Sequence, residues 1–135
     1  LATSLKTYLK IAHPTWIITR DVSEYESHAV ELGDKTFLTI VVISGRKTGQ
    51  GVFGRAPTDD CTLMVLGQVN VASSNYTGEQ IEQIELTIKT KVRAALAAPT
   101  VPQDLSGVVI DNWVTSGQQN KEAAEILLTL SLKEI

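Results

Sequence analysis

Between Thr77 and Pro99, Ile81, Ile84, Ile88, Val92, Ala95 and Leu96 recur at three-, four- and one-residue steps. That is the spacing of a single apolar face on an α-helix. Thr77 with Gln80 three residues on fits a capping box, in which each side chain satisfies a free backbone donor of the other. Glu79 and Glu82 favour the positive end of the helix dipole, and Lys89, Lys91 and Arg93 the negative end. Pro99 and Pro102 stop the element. The sequence therefore predicts a helix over Gly78–Ala98. One apolar stripe commits it to packing against a second layer, so the fold turns on what that layer is.

The rest of the chain supplies mostly strands. Phe37–Ile43 is nearly continuous in apolar and β-branched residues, the pattern of a strand buried on both faces. From Cys61 to Val71, Cys61, Leu63, Val65, Gly67, Val69 and Val71 share one side, and Thr62, Met64, Leu66, Gln68 and Asn70 the other. The polar end of the second set predicts that this strand emerges towards solvent. Trp16-Ile17-Ile18 reads as a short first strand. Val108-Val109-Ile110 and Ala123–Leu132 read as two late strands, and the polar stretch Thr115–Lys121 is suited to joining them as a hairpin. Leu1–Ala12 places Leu1, Leu5, Tyr8, Leu9 and Ala12 on one helical face, and His13-Pro14 closes it. Asp21–Asp34 lacks periodicity and reads as a connection.

Helix, strands, long helix, strands is the order of an α+β fold: a mainly antiparallel or mixed β-sheet covered by two helices, with a long hairpin-like loop. Nothing in the 135 residues suggests a linker or a repeat, so 1–135 is expected to be a single domain. Ile40, Val42, Leu63, Val65, Ile84, Ile88, Leu128 and Leu130 are the expected core. No apolar run approaches the roughly 18 residues that a bilayer span needs.

A net charge of −3 gives no basic footprint for general nucleic-acid binding. The one cysteine, Cys61, lies in an apolar segment and reads as a small buried hydrophobe. His13 and His28 are the only histidines, and no zinc-type spacing surrounds them. Glu24 and His28 would share a helical face, which reads as a surface ion pair. Serines are plentiful, but none stands in Gly-x-Ser-x-Gly. Asp59-Asp60 would point to opposite faces at a strand entry and so converge poorly. Asn75-Tyr76-Thr77 matches a glycosylation sequon, though Thr77 already has a role as a helix cap. Trp16 and Trp113 are expected in the core or at an interface. The expectation is of a binding or structural subunit with no catalytic, cofactor-binding or metal residues.

Ser44–Asp60 stands apart, because Gly45, Gly49, Gly51, Gly54 and Pro57 break regular structure and predict a long loop or an extended hairpin tip. Gly45-Arg46-Lys47-Thr48-Gly49 has the residue types of a phosphate cradle but neither the spacing nor a following helix. Val52-Phe53 is an apolar pair that a solvated tip would not need. Arg46, Lys47, Val52, Phe53 and Arg55 are therefore the candidate assembly interface. Fixing about fifteen such residues costs on the order of 15–30 kcal/mol, which a partner surface would have to offset.

Lys91-Val92-Arg93-Ala94-Ala95-Leu96-Ala97-Ala98-Pro99, then Leu105-Ser106-Gly107-Val108-Val109-Ile110-Asp111 and the aliphatic strand Ala123–Leu130, resembles the tail-terminator (tail-completion, minor tail) proteins of long-tailed bacteriophages. The resemblance is one of pattern over most of the chain, without a catalytic motif. It implies a virion protein made in the host cytoplasm, assembled as a homo-oligomeric ring, hexameric by expectation. Such a ring caps the tail tube, ends its polymerisation and faces the head connector proteins. It implies no membrane, no cofactor and no sequence-specific nucleic acid, although DNA would pass through the ring. Another head-tail connector or baseplate subunit, or a small α+β ligand-binding domain or enzyme, stays open as an alternative.

Overall fold

The computed structural model describes residues 1–20, 36–48, 58–71, 76–117 and 123–132; for 44–48 and 58–61 it describes the backbone alone. Their elements are helix α1 (Ala2–Ala12), strands β1 (Ile17–Thr19), β2 (Thr36–Thr48) and β3 (Thr58–Asn70), helix α2 (Gly78–Ala97), a 3-10 turn (Gln103–Leu105), and strands β4 (Val108–Thr115) and β5 (Ala123–Leu132). The strands form a five-stranded mixed sheet in the order β1-β2-β3-β5-β4. β1 runs parallel to β2, and every other neighbouring pair is antiparallel. The α+β architecture is the one that the segment order predicts.

Both helices lie on one face of the sheet. Leu5 and Leu9 of α1, and Ile81, Ile88 and Val92 of α2, join Leu38, Ile40, Leu63, Val65, Ile126, Leu128 and Leu130 in one buried cluster. The register explains the membership. Ile40, Val65 and Leu128 are cross-strand partners and therefore share a face, as do Leu38, Gly67 and Ile126. At Gly67 the helix comes close: a Cβ there would meet Ile88 Cγ2 at 3.0 Å, with Ile126 Cγ2 and Leu38 Cδ2 at 3.2 Å. The two helices are tied by Tyr8, whose hydroxyl donates to the Ala95 carbonyl at 2.6 Å. Ala95 lies in the last turn of α2, where carbonyls lack intrahelical donors.

The helix ends follow their sequence cues. Thr77 Oγ1 accepts from the Gln80 N–H at 3.2 Å, and Gln80 Oε1 accepts from the Thr77 N–H at 2.8 Å, so the capping box is present. Ala98, before Pro99, is extended at φ −69°, ψ 147°. His13, before Pro14, is likewise non-helical at φ −132°, ψ 79°. Lys10 Nζ closes that turn by donating to the carbonyls of Pro14 at 2.8 Å and Trp16 at 2.6 Å.

Of the long loop or extended hairpin tip expected over Ser44–Asp60, the structure shows the hairpin: Ser44–Thr48 and Thr58–Asp60 belong to β2 and β3, with Thr48 paired to Thr58. Other expectations are corrected. Burial on both faces holds for Phe37–Ile40 but fails at Val42 and Ile43, which are exposed. β1 accompanies β2 only from Phe37 to Thr39, and beyond it β2 has no strand on that side among the described residues. Val42 therefore leaves the expected core, and Ile84 is only partly buried. Gln68 does not emerge into solvent; it is buried, and its amide donates to Glu125 Oε1 at 3.1 Å. Asp21–Asp34 lies outside the described residues.

Candidate interaction surface

Among the described residues, five of the seven exposed large apolar side chains stand on the two flanks of the sheet; the other two are Ile11 of α1 and Tyr76. On β4, the outermost strand, Val109 is 53%, Trp113 42% and Val114 57% exposed. On the far half of β2, Val42 is 45% and Ile43 47% exposed. By register Val42 and Trp113 lie on the helix side of the sheet, and Val109 and Val114 on the opposite side; scattered exposed valines need no explanation, but their concentration on two strand edges does. Each edge leaves backbone N–H and C=O groups without a strand partner among the described residues, and such edges template pairing unless they are blunted.

The flanks are level with one another. Following the ladders across the sheet, Val42 pairs with Leu63, Leu63 with Leu130, and Leu130 with Ile110. One row along, Ile40, Val65, Leu128 and Trp113 are linked in the same way. A β-bulge adjoins the Val42–Ile110 row on each flank, between Val42 and Ser44 on β2 and between Ile110 and Asn112 on β4. The inserted residues are Ile43 and Asp111. Bulges concentrate at sheet edges, where they twist a strand or re-aim a side chain.

Trp113 is also the seat of a cation. Lys89 Nζ of α2 stands 3.9 Å from its ring centroid. This revises the dipole reading of Lys89, Lys91 and Arg93: the last turn of α2 carries no basic residue, and dipole effects fade beyond that turn.

Glu85, which the sequence reading passed over, is fully buried on the helix stripe between Ile81 and Ile88. Its Oε2 accepts the backbone N–H of Glu125 at 2.7 Å and that of Ser116 at 3.4 Å, so α2 grips both arms of the β4–β5 hairpin. Its Oε1 and the Ser116 hydroxyl are buried without a hydrogen-bond partner among the described residues. A charged residue on an otherwise apolar stripe was the available clue.

Also along the middle of α2, Trp16, Val71, Tyr76, Ile84, Ile88 and Lys91 line a cavity of about 310 Å³. His13 stacks on Trp16 with ring centroids 3.9 Å apart and planes 17° apart. Burial, then the nearby Lys91 charge, holds the His13 pKa below its ordinary value; a backbone hydrogen bond at Lys91 opposes the shift.

Of the expected interface residues, Arg46 and Lys47 stand on β2 in register with Asp60 and Asp59. Val52, Phe53 and Arg55 lie outside the described residues, as do Glu24, His28 and Asn75. Among the described residues no three of His, Cys, Asp and Glu cluster as metal ligands, and no helix is long and apolar enough to cross a membrane. No family model and no curated protein matches this sequence.

Proposed function

We propose that this chain is a structural subunit that assembles into a ring at the end of a bacteriophage tail tube, stops the tube's growth and offers a joining surface to head connector proteins. The observation that carries the assembly part of this reading is the pair of level, exposed apolar edges, Val42-Ile43 on β2 and Val109, Trp113 and Val114 on β4. Two different patches on opposite flanks suit heterologous, head-to-tail contacts, which close into rings when the rotation permits. The phage assignment rests on the sequence pattern from Lys91 to Leu130. The segment 49–57 between β2 and β3 in sequence, with Val52, Phe53 and Arg55, is the proposed arm towards a neighbouring subunit or the tube end, together with Arg46 and Lys47.

The test is polymerisation of purified tail-tube protein with and without this chain. A terminator ends growth and is found at one tube end; tubes that lengthen unchanged and carry no bound chain contradict the reading.

A second reading, a small-molecule binding domain, is favoured by the cavity between Trp16, Tyr76 and Lys91, which lies at the lower end of the size range of ligand sites. A monomer whose Trp16 fluorescence responds saturably to a small molecule would support it. A ring indifferent to such molecules would not.

A further inference from the structure

We propose that subunits join by edge-to-edge continuation of the sheet, with β2 of one copy, from Ile40 to Gly45, pairing antiparallel with β4 of the next, from Val108 to Trp113. This rests on the ring reading for closure, while the contact itself is argued from the strands. β2 is antiparallel to β3, β3 to β5 and β5 to β4, so β2 and β4 run in opposite senses within one subunit. A second copy in the same orientation therefore brings its β4 antiparallel to the first copy's β2. The two segments occupy the same rows: Ile40 with Trp113, Val42 with Ile110, Ser44 with Val109, Gly45 with Val108. Among the described residues both segments lack a strand partner on their outer side, and both carry exposed apolar side chains.

Charge favours the same partner. Arg46 and Lys47 on β2 are already in register with Asp60 and Asp59 of β3, so the charge that bears on the choice of partner is Asp111, the inserted residue of the β4 bulge. Pairing β4 with another β4 about a two-fold axis would instead bring two Asp111 residues together at the centre of the contact, and like charges opposed across strands are destabilising. Because sheets twist, each added copy is rotated relative to the last, which is the geometry that a closed ring or an open filament requires.

The test uses the full chain in a Cys61→Ser background, with one preparation carrying Val42→Cys and another Ile110→Cys. Partners in adjacent strands place Cα atoms within reach of a disulfide. The expected result is a covalent dimer on mild oxidation of the mixture and none from either preparation alone. Val42→Lys and Val109→Lys, at exposed positions, should keep the wild-type circular dichroism and weaken self-association at least tenfold by light scattering. Cross-linking of Ile110→Cys by itself indicates a two-fold β4 contact and overturns the proposal. Wild-type rings together with no mixed disulfide and unaffected lysine variants overturn it while leaving the ring reading intact. A chain that stays monomeric at every concentration, alone and with tail tubes, overturns both.

Discussion

The Glu85 carboxylate accepts the backbone N–H of Glu125 at 2.7 Å, joining the middle of α2 to the start of β5 across 40 residues of sequence. The second contact of the same oxygen, with Ser116 N–H, places one buried carboxylate at the hinge of the β4–β5 hairpin and so fixes where the exposed β4 edge stands. Replacing Glu85 with alanine leaves these backbone donors without that acceptor. Leaving a buried donor unsatisfied costs about 1–3 kcal/mol, so Glu85→Ala should cost about that much in urea unfolding. Glu85→Gln retains a carbonyl acceptor and should cost less. Equal stabilities for alanine and wild type would remove the clamp from the account.

Gly67 is needed for space. An added methyl meets the γ-methyls of Ile88 and Ile126 and the Leu38 side chain at 3.0–3.2 Å. Two of these neighbours are β-branched and stiff at χ1, so they cannot easily rotate away. Overpacking of this kind costs about 1–3 kcal/mol. Gly67→Ala should lower the denaturation midpoint by a corresponding amount without changing the slope of the transition.

Most of the fold was legible because its determinants are local. The step of Ile81, Ile88 and Val92, the Thr77–Gln80 box and Pro99 set α2 to within a residue. The alternation from Leu63 to Val71 and from Ile126 to Leu132 placed the correct sides of β3 and β5 towards the helices. What misled was non-local. Val42 looks like Ile40 in sequence, but its exposure depends on β1 ending opposite Thr39. Gln68 and Glu85 look solvated until Glu125 and the hairpin are brought beside them. Glycine content left a loop and an extended hairpin both open from Ser44, and pairing with β3 carries the ladder to Thr48. Of the residues proposed for assembly, Arg46 and Lys47 stand on β2 and the others lie outside the described residues; the outer place of β4 follows from the strand order, which no local pattern gives.

His13 should give stability a pH dependence of definite sign. Its folded pKa lies below the ordinary value, chiefly through burial and then Lys91, so unfolded chains take up its proton first as the pH falls through about 6.5. The unfolded state then binds more protons, and stability rises with pH across that window and levels off above it. His13→Asn should flatten the difference in unfolding free energy between about pH 5 and pH 7.5. A wild-type protein whose His13-dependent stability increases on acidification would contradict this environment.

Removing Gly49–Gly54 leaves the sequence of every described strand untouched, including the Thr48–Thr58 pair. Unfolding of the deletion variant should stay cooperative, while ring formation or tube capping weakens. Assembly and capping at wild-type levels would reduce this segment to a connection and leave the strand edges as the whole interface.

The central claim, that this chain is an assembly subunit, is tested most directly by its mass in solution combined with negative-stain imaging, alone and after mixing with purified tail tubes. The account predicts closed rings, six subunits by expectation, either free or seated on one end of each tube. A monomer at high concentration that also fails to bind the tubes would contradict it.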